Sequence, residues 1–168
     1  MRGCFRYCQK RVTESVIMSR IFEKTFHVGW ANVDFNGHLG NTSFMDLAVD
    51  VRMFYFAENG FPIQEFQRQR FGPVILKDEI EYFKEFHLLD KIRITFQGAG
   101  MSEDASRFKI RNEFFSEDGR LSARLNTTGG WLDLDKRKLI VPPPALAEAM
   151  RSLVRTEDFE VFQSSIKS

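Results

Sequence analysis

The stretch Asn41-Thr-Ser-Phe-Met-Asp-Leu-Ala-Val-Asp-Val-Arg-Met-Phe-Tyr-Phe-Ala-Glu-Asn-Gly60 decides how the rest of the chain has to be arranged. Its polar opening offers N-cap side chains, and Asn59-Gly60 followed by Pro62 is a stop signal, so the spacing predicts a helix from Thr42 to Glu58. Phe44, Leu47, Ala48, Val51, Phe54 and Tyr55 make one apolar stripe at helical spacing, while Met45, Val49, Met53 and Phe56 make a second. Ser43, Asp46 and Asp50 form only a narrow polar wedge. A helix apolar on most sides has to be surrounded by protein.

The surroundings are read from period-two alternation. From Phe22 to Trp30, Phe22, Phe26, Val28 and Trp30 fall on one face and Glu23, Thr25 and His27 on the other. After a polar connector, the segments Val74–Phe86, Lys91–Gln97, Arg107–Phe114 and Leu121–Leu134 also alternate. Asp118-Gly119 favours a tight hairpin between the last two. Pro142-Pro-Pro144 then ends the sheet, and Ala145–Val154 reads as a short terminal helix. Strands that follow one another without intervening helices exclude a parallel doubly wound sheet and give an α+β class, a single sheet wrapped round one helix. Its edges and one face would be covered by pairing, so a homo-oligomer is expected.

The chain has 168 residues, which suits one domain, since domains usually hold about 100–200. A net charge of +1 gives no electrostatic reason for a nucleic-acid partner, and 43% hydrophobic residues with 18 Phe can fill a core and line an apolar pocket. No run approaches the roughly 18 apolar residues of a membrane span, and the basic N-terminus lacks the pattern of a secretory signal, so a cytoplasmic protein is expected. Cys4 and Cys8 are too few for a disulfide framework or a structural zinc site. Residues 1–17 lack the later alternation and read as an irregular extension, with Met18 as a candidate start, ahead of a single domain over 18–155 and a tail over 156–168.

Reactive side chains concentrate between the first strand and the helix, in Asp34-Phe-Asn-Gly-His-Leu-Gly-Asn41. A carboxylate, two amides and an imidazole stand beside glycines that let the backbone approach a ligand, at a helix N-terminus whose free N–H groups favour developing negative charge. That is chemistry suited to acyl transfer. Taken singly, Asp34 and Asn36 are also ordinary turn residues, His38 an ordinary loop residue and Asn41 an ordinary cap. His27 and His87 lie in strand-like segments and read as structural or solvent-facing. No set of residues has metal-ligand spacing, so no metal is expected.

In Asp34, Gly37, His38 and Asn41 the sequence resembles the hot-dog fold thioesterases of the 4-hydroxybenzoyl-CoA thioesterase type, whose signature reads Asp-x-x-Gly-His-Val-Asn-Asn. Leu39 replaces the Val and Gly40 the first Asn, and the element order agrees over about Ser19–Val141. The resemblance implies five antiparallel strands around the helix, a homodimer or homotetramer, and hydrolysis of an acyl-CoA or acyl-carrier thioester. It places the catalytic carboxylate on Asp34, as nucleophile or as base for a water, and the oxyanion on the N–H of Asn41 and its neighbours. His38 would orient substrate or water, and Asn36, Gly37 and Phe44 would contact the substrate. No cofactor is implied beyond the CoA carried by the substrate. Asp46 is the second-choice carboxylate. Two alternatives remain: a hot-dog enoyl-CoA hydratase, whose Asp-x-Asn-Pro-x-His loop is less well matched by Asp34-Phe-Asn36-Gly-His38, and a non-catalytic acyl-thioester-binding member.

Overall fold

The computed structural model describes residues 20–166; the extension over residues 1–17 and the candidate start at Met18 lie outside that range. The elements run β1 (Phe22–His27), α1 (Asn41–Glu58), α2 (Ile63–Gln69), β2 (Phe71–Tyr82), β3 (Lys91–Ser102), β4 (Arg107–Phe115), β5 (Leu121–Asp133), β6 (Lys138–Ile140), α3 (Pro144–Arg151) and β7 (Arg155–Phe162). One sheet has the order β1-β3-β4-β5-β2 with antiparallel neighbours. This is the hot-dog fold.

The helix predicted from Thr42 to Glu58 is α1, and Asn59 donates its backbone N–H to carbonyls of the last turn, as its cap role requires. The hairpin at Asp118-Gly119 also forms, with Gly119 at φ 83° joining β4 to β5. Three readings need correction. Trp30 does not continue the inward face of the first strand, because the chain leaves β1 at His27 and turns through a short 3-10 segment that exposes the indole. The polar connector contains α2, whose single inward Phe66 stacks on Trp131 with ring centroids 6.3 Å apart. One anchor in seven residues is too sparse for periodicity to register.

The third concerns the extent of the sheet, where the five expected antiparallel strands are present and two further strands bring it to seven. β6 continues the line of β4 beside β5, and β7 pairs in parallel with β3 in the stretch read as a tail from residue 156. Gly100 makes that docking possible, since a Cβ there would come within 2.9 Å of the Phe162 ring. The charged pattern Arg155-Thr-Glu-Asp-Phe-Glu-Val-Phe162 carries little apolar signal because only part of one face meets the sheet.

α1 lays Phe44, Leu47, Ala48, Val51, Tyr55 and Phe56 against the inward residues of the sheet, among them Ile92, Ile94 and Phe96 of β3 and Phe108, Ile110 and Phe114 of β4. Each such side chain withdrawn from water contributes about 1.5–3 kcal/mol, which fixes the helix across the strands. Around the C-terminal end of α1, Phe56, Phe66, Phe71 and Phe108 pack on Trp131, whose indole N–H donates to the Ala105 carbonyl at 3.0 Å. α1 is thereby held so that its N-terminus opens beside the loop carrying Asp34.

Candidate active site

The loop before α1 is built by Asp34. Its backbone N–H donates to the His38 carbonyl at 2.8 Å and its carbonyl accepts from Gly37 N at 3.0 Å, closing a tight turn. Gly37 sits at φ 75°, left-handed backbone that a side chain would strain. The carboxylate finishes the turn, because Oδ1 accepts from the backbone N–H groups of Asn36 at 2.8 Å and His38 at 3.2 Å. Oδ2 has no hydrogen-bond partner among the described residues. One oxygen is thus held while the other stays available.

The next residues tie this turn to the helix. Leu39 N donates to the Phe86 carbonyl and Gly40 N to the Asn32 carbonyl, each at 2.8 Å, while the Ser43 hydroxyl also donates to Asn32 at 3.0 Å. At the first turn of α1, the side-chain oxygen of Asn41 accepts the Thr42 N–H at 2.9 Å. Asn41 therefore caps the N–H after its own and leaves its own without a protein acceptor among the described residues. A free donor at a helix N-terminus is suited to developing negative charge.

These groups border a cavity of about 370 Å3, lined by Asp34, His38, Asn41 and Phe44 on one side and by Tyr82 and the loop after β2 on the other. Phe44 is buried and meets Tyr82 edge-to-face at 5.2 Å, so the cavity has one aromatic wall and one polar rim. Burial pushes the Tyr82 hydroxyl above its usual pKa, which keeps it protonated and able to donate. Half-buried His38 packs edge-to-face on His87 at 5.0 Å. Glu85, on the same rim, is held below its usual range by its own backbone N–H and, less, by the two imidazoles.

Of the predicted site residues, Asp34, His38, Asn41 and Phe44 share this cavity, while Asn36 and Gly37 supply the turn behind it. Asp46 and Asp50 are exposed and line no part of the cavity. Phe56 and Phe61 belong to the core, and Phe54 faces outward under Lys24 Nζ. Among the strand cations, Lys109, Arg111 and Arg124 are paired with Glu160, Asp158 and Glu113 at 2.6–2.7 Å. Among the described residues, no group of three or more His, Cys, Asp or Glu could hold a metal ion, and no helix is long and apolar enough to cross a membrane. Periodicity passed over Tyr82 and Arg52, the first because it ends an edge strand and the second because a lone cation inside an apolar stripe is averaged away; the charge itself was the available signal.

The family described as the Thioesterase-like superfamily matches residues 28–150. No curated protein matches the chain. Among solved structures, a hypothetical protein of Staphylococcus aureus in complex with CoA is similar at 17% identity and TM-score 0.73, over 92% of each chain. A 1,4-dihydroxy-2-naphthoyl-CoA thioesterase of Synechocystis is similar at 19% identity and TM-score 0.71, over 79% of this chain and 96% of that one. A DHNA-CoA thioesterase of Staphylococcus aureus is similar at 19% identity and TM-score 0.71, over 78% and 89%.

Proposed function

Because the chain belongs to the Thioesterase-like superfamily, we propose that it hydrolyses an acyl-CoA or acyl-carrier thioester to a free acid and a thiol, with Asp34 as the reacting carboxylate. The observation that carries this reading is the division of labour within Asp34: Oδ1 is fixed by the N–H groups of Asn36 and His38, and Oδ2 is left free beside the N-terminus of α1. A carboxylate held by one oxygen loses little freedom when the other reacts.

In this mechanism the thioester carbonyl oxygen lies against the Asn41 N–H, which stabilises the negative charge that develops when the carbonyl is attacked. Asp34 Oδ2 either attacks the carbonyl carbon, giving an anhydride that water then cleaves, or takes a proton from the attacking water. The C–S bond breaks and the thiolate leaves; with a thiol pKa near 8.5 it needs little protonation to do so. His38 orients substrate or water, and Phe44 supports the acyl group. Hydrolysis by this route uses no cofactor, and CoA enters only as part of the substrate. We also propose that the protein works in the cytoplasm as a homodimer or homotetramer. Exposed Ile75, Leu76 and Tyr82 along the β2 edge support such pairing.

The test is thiol release from a panel of short, medium, long and aromatic acyl-CoAs, with Asp34→Ala in parallel. Hydrolysis of at least one member, lost in a variant that melts like the parent, is the expected result. Hydrolysis retained by Asp34→Ala, or a hydrated acyl-CoA as product instead of free acid, overturns it. Rapid-quench mass spectrometry during turnover separates the two roles, because only a nucleophilic Asp34 carries the acyl group as an anhydride.

A further inference from the structure

Away from this site, α1 buries a cation whose charge has no direct counterpart. Arg52 lies on the inward side of the helix, 7% exposed, among Val51, Tyr55 and Phe56. Its Nε donates to Asn112 Oδ1 at 3.3 Å and its Nη2 to Thr127 Oγ1 at 2.6 Å. Thr127 in turn donates to Asp78, and Asn112 donates to the Thr95 carbonyl at 2.9 Å. The carboxylate of Asp78 therefore reaches Arg52 only through a hydroxyl. Burial lowers the Arg52 pKa to about 10, with Asp78 opposing the shift, so the guanidinium is still charged at neutral pH.

The remaining nitrogen, Nη1, donates to no group among the described residues, and it is not one of the sealed, unpartnered atoms, which are Arg107 Nε and Thr156 Oγ1. It therefore keeps a small accessible surface. Arg52 borders a separate cavity of about 190 Å3, enclosed by Val49, Met53 and Phe56 of α1, Ile75 of β2, and Phe108 and Ile110 of β4. All of those walls are apolar. A buried cation with an uncommitted donor is costly unless an acceptor, best an anion, completes it. The size limits what can do so: an engineered apolar cavity of about 150 Å3 holds one benzene, so this one has room for a single ring or a short chain.

We propose that this cavity binds a small carboxylate with a compact apolar body, the body packed on Val49, Met53 and Ile110 and the carboxylate accepting from Arg52 Nη1. The site shares no lining residue with the cavity of Asp34 and does not depend on the thioesterase reading.

The test titrates benzoate and hexanoate, with benzyl alcohol and hexanol as neutral controls, into the full chain, following the methyl resonances of Val49, Met53, Ile75 and Ile110. The carboxylates are expected to bind at least tenfold more tightly than the alcohols and to shift those methyls, in Asp34→Ala as in the parent. In Arg52→Met the preference should fall to about onefold while the alcohols still bind. If that variant does not fold, Val49→Trp, which fills the mouth from a half-exposed position and leaves the Arg52 bonds intact, should abolish both kinds of binding. Equal affinity for acids and alcohols in the parent, shifts elsewhere, or no binding at 10 mM overturns the proposal.

Discussion

At the N-terminus of α1, Asp34 gathers hydrogen bonds from residues two and four positions away in a loop open to solvent. About three turns along the same helix, Arg52 reaches partners 60 and 75 positions away inside the sheet. The two regions use polar groups for different ends. A local, exposed turn can lose its carboxylate with little effect on folding, because water replaces what the side chain did. A buried cation that joins α1 to β4 and β5 cannot be lost so lightly, because Asn112 Oδ1 and Thr127 Oγ1 would lose their charged donor in a dry interior. The carboxylate proposed to react therefore sits where stability is insensitive, and the polar anchor of the helix sits where it is not.

The sharpest way to break this contrast is Arg52→Ala, which should cost about 3 kcal/mol in urea unfolding, from two lost charge-assisted hydrogen bonds and an enlarged cavity. A loss below about 1 kcal/mol would mean that the anchor contributes little. Asp34→Ala comes next, with a hundredfold or greater loss of kcat/KM, about 2.7 kcal/mol on the barrier, and a melting temperature within a few degrees of the parent. Substituting Gly37 by Ala probes the turn itself: at φ 75° the Cβ costs about 1–2 kcal/mol, and thiol-release assays should show activity falling with it because the held oxygen of Asp34 moves. The smallest effect belongs to Gly40→Asn, which restores the residue of the thioesterase signature. A Cβ at Gly40 meets Asn32 O at 3.5 Å and nothing closer, so chemical unfolding should register a change within about 0.5 kcal/mol.

The same contrast explains what could be read without coordinates. The helix from Thr42 to Glu58 was legible because its caps and stripes are local, and the loop from Asp34 to Asn41 because the bonds that shape the Asp34 turn lie within it. Arg52 was not, since nothing near it in sequence announces Asn112, Thr127 or Asp78. β7 was hidden for a related reason: its place depends on Gly100, 62 positions from Phe162, and a glycine gives no hydropathy signal for the ring it admits. Tyr82 was assigned to a strand correctly, but its position opposite Phe44 follows from the path of β2 around the helix.

The sheet's two margins have unequal characters. One side of β3 is shared by two short strands, β1 along Lys91–Phe96 and β7 from Gly98 onward, and β7 carries Glu157, Asp158 and Glu160. The opposite margin is the 12-residue β2, with Ile75 and Leu76 exposed. β2 also carries Lys77, Asp78, Glu79 and Glu81, a balance of charge like that of β7, so the margins differ in length and continuity rather than in charge. Copies meeting β2 to β2 would consume their long, continuous margins in a single encounter and present only interrupted borders to any third. A border broken between two short strands is a poor template for extending a sheet into a filament.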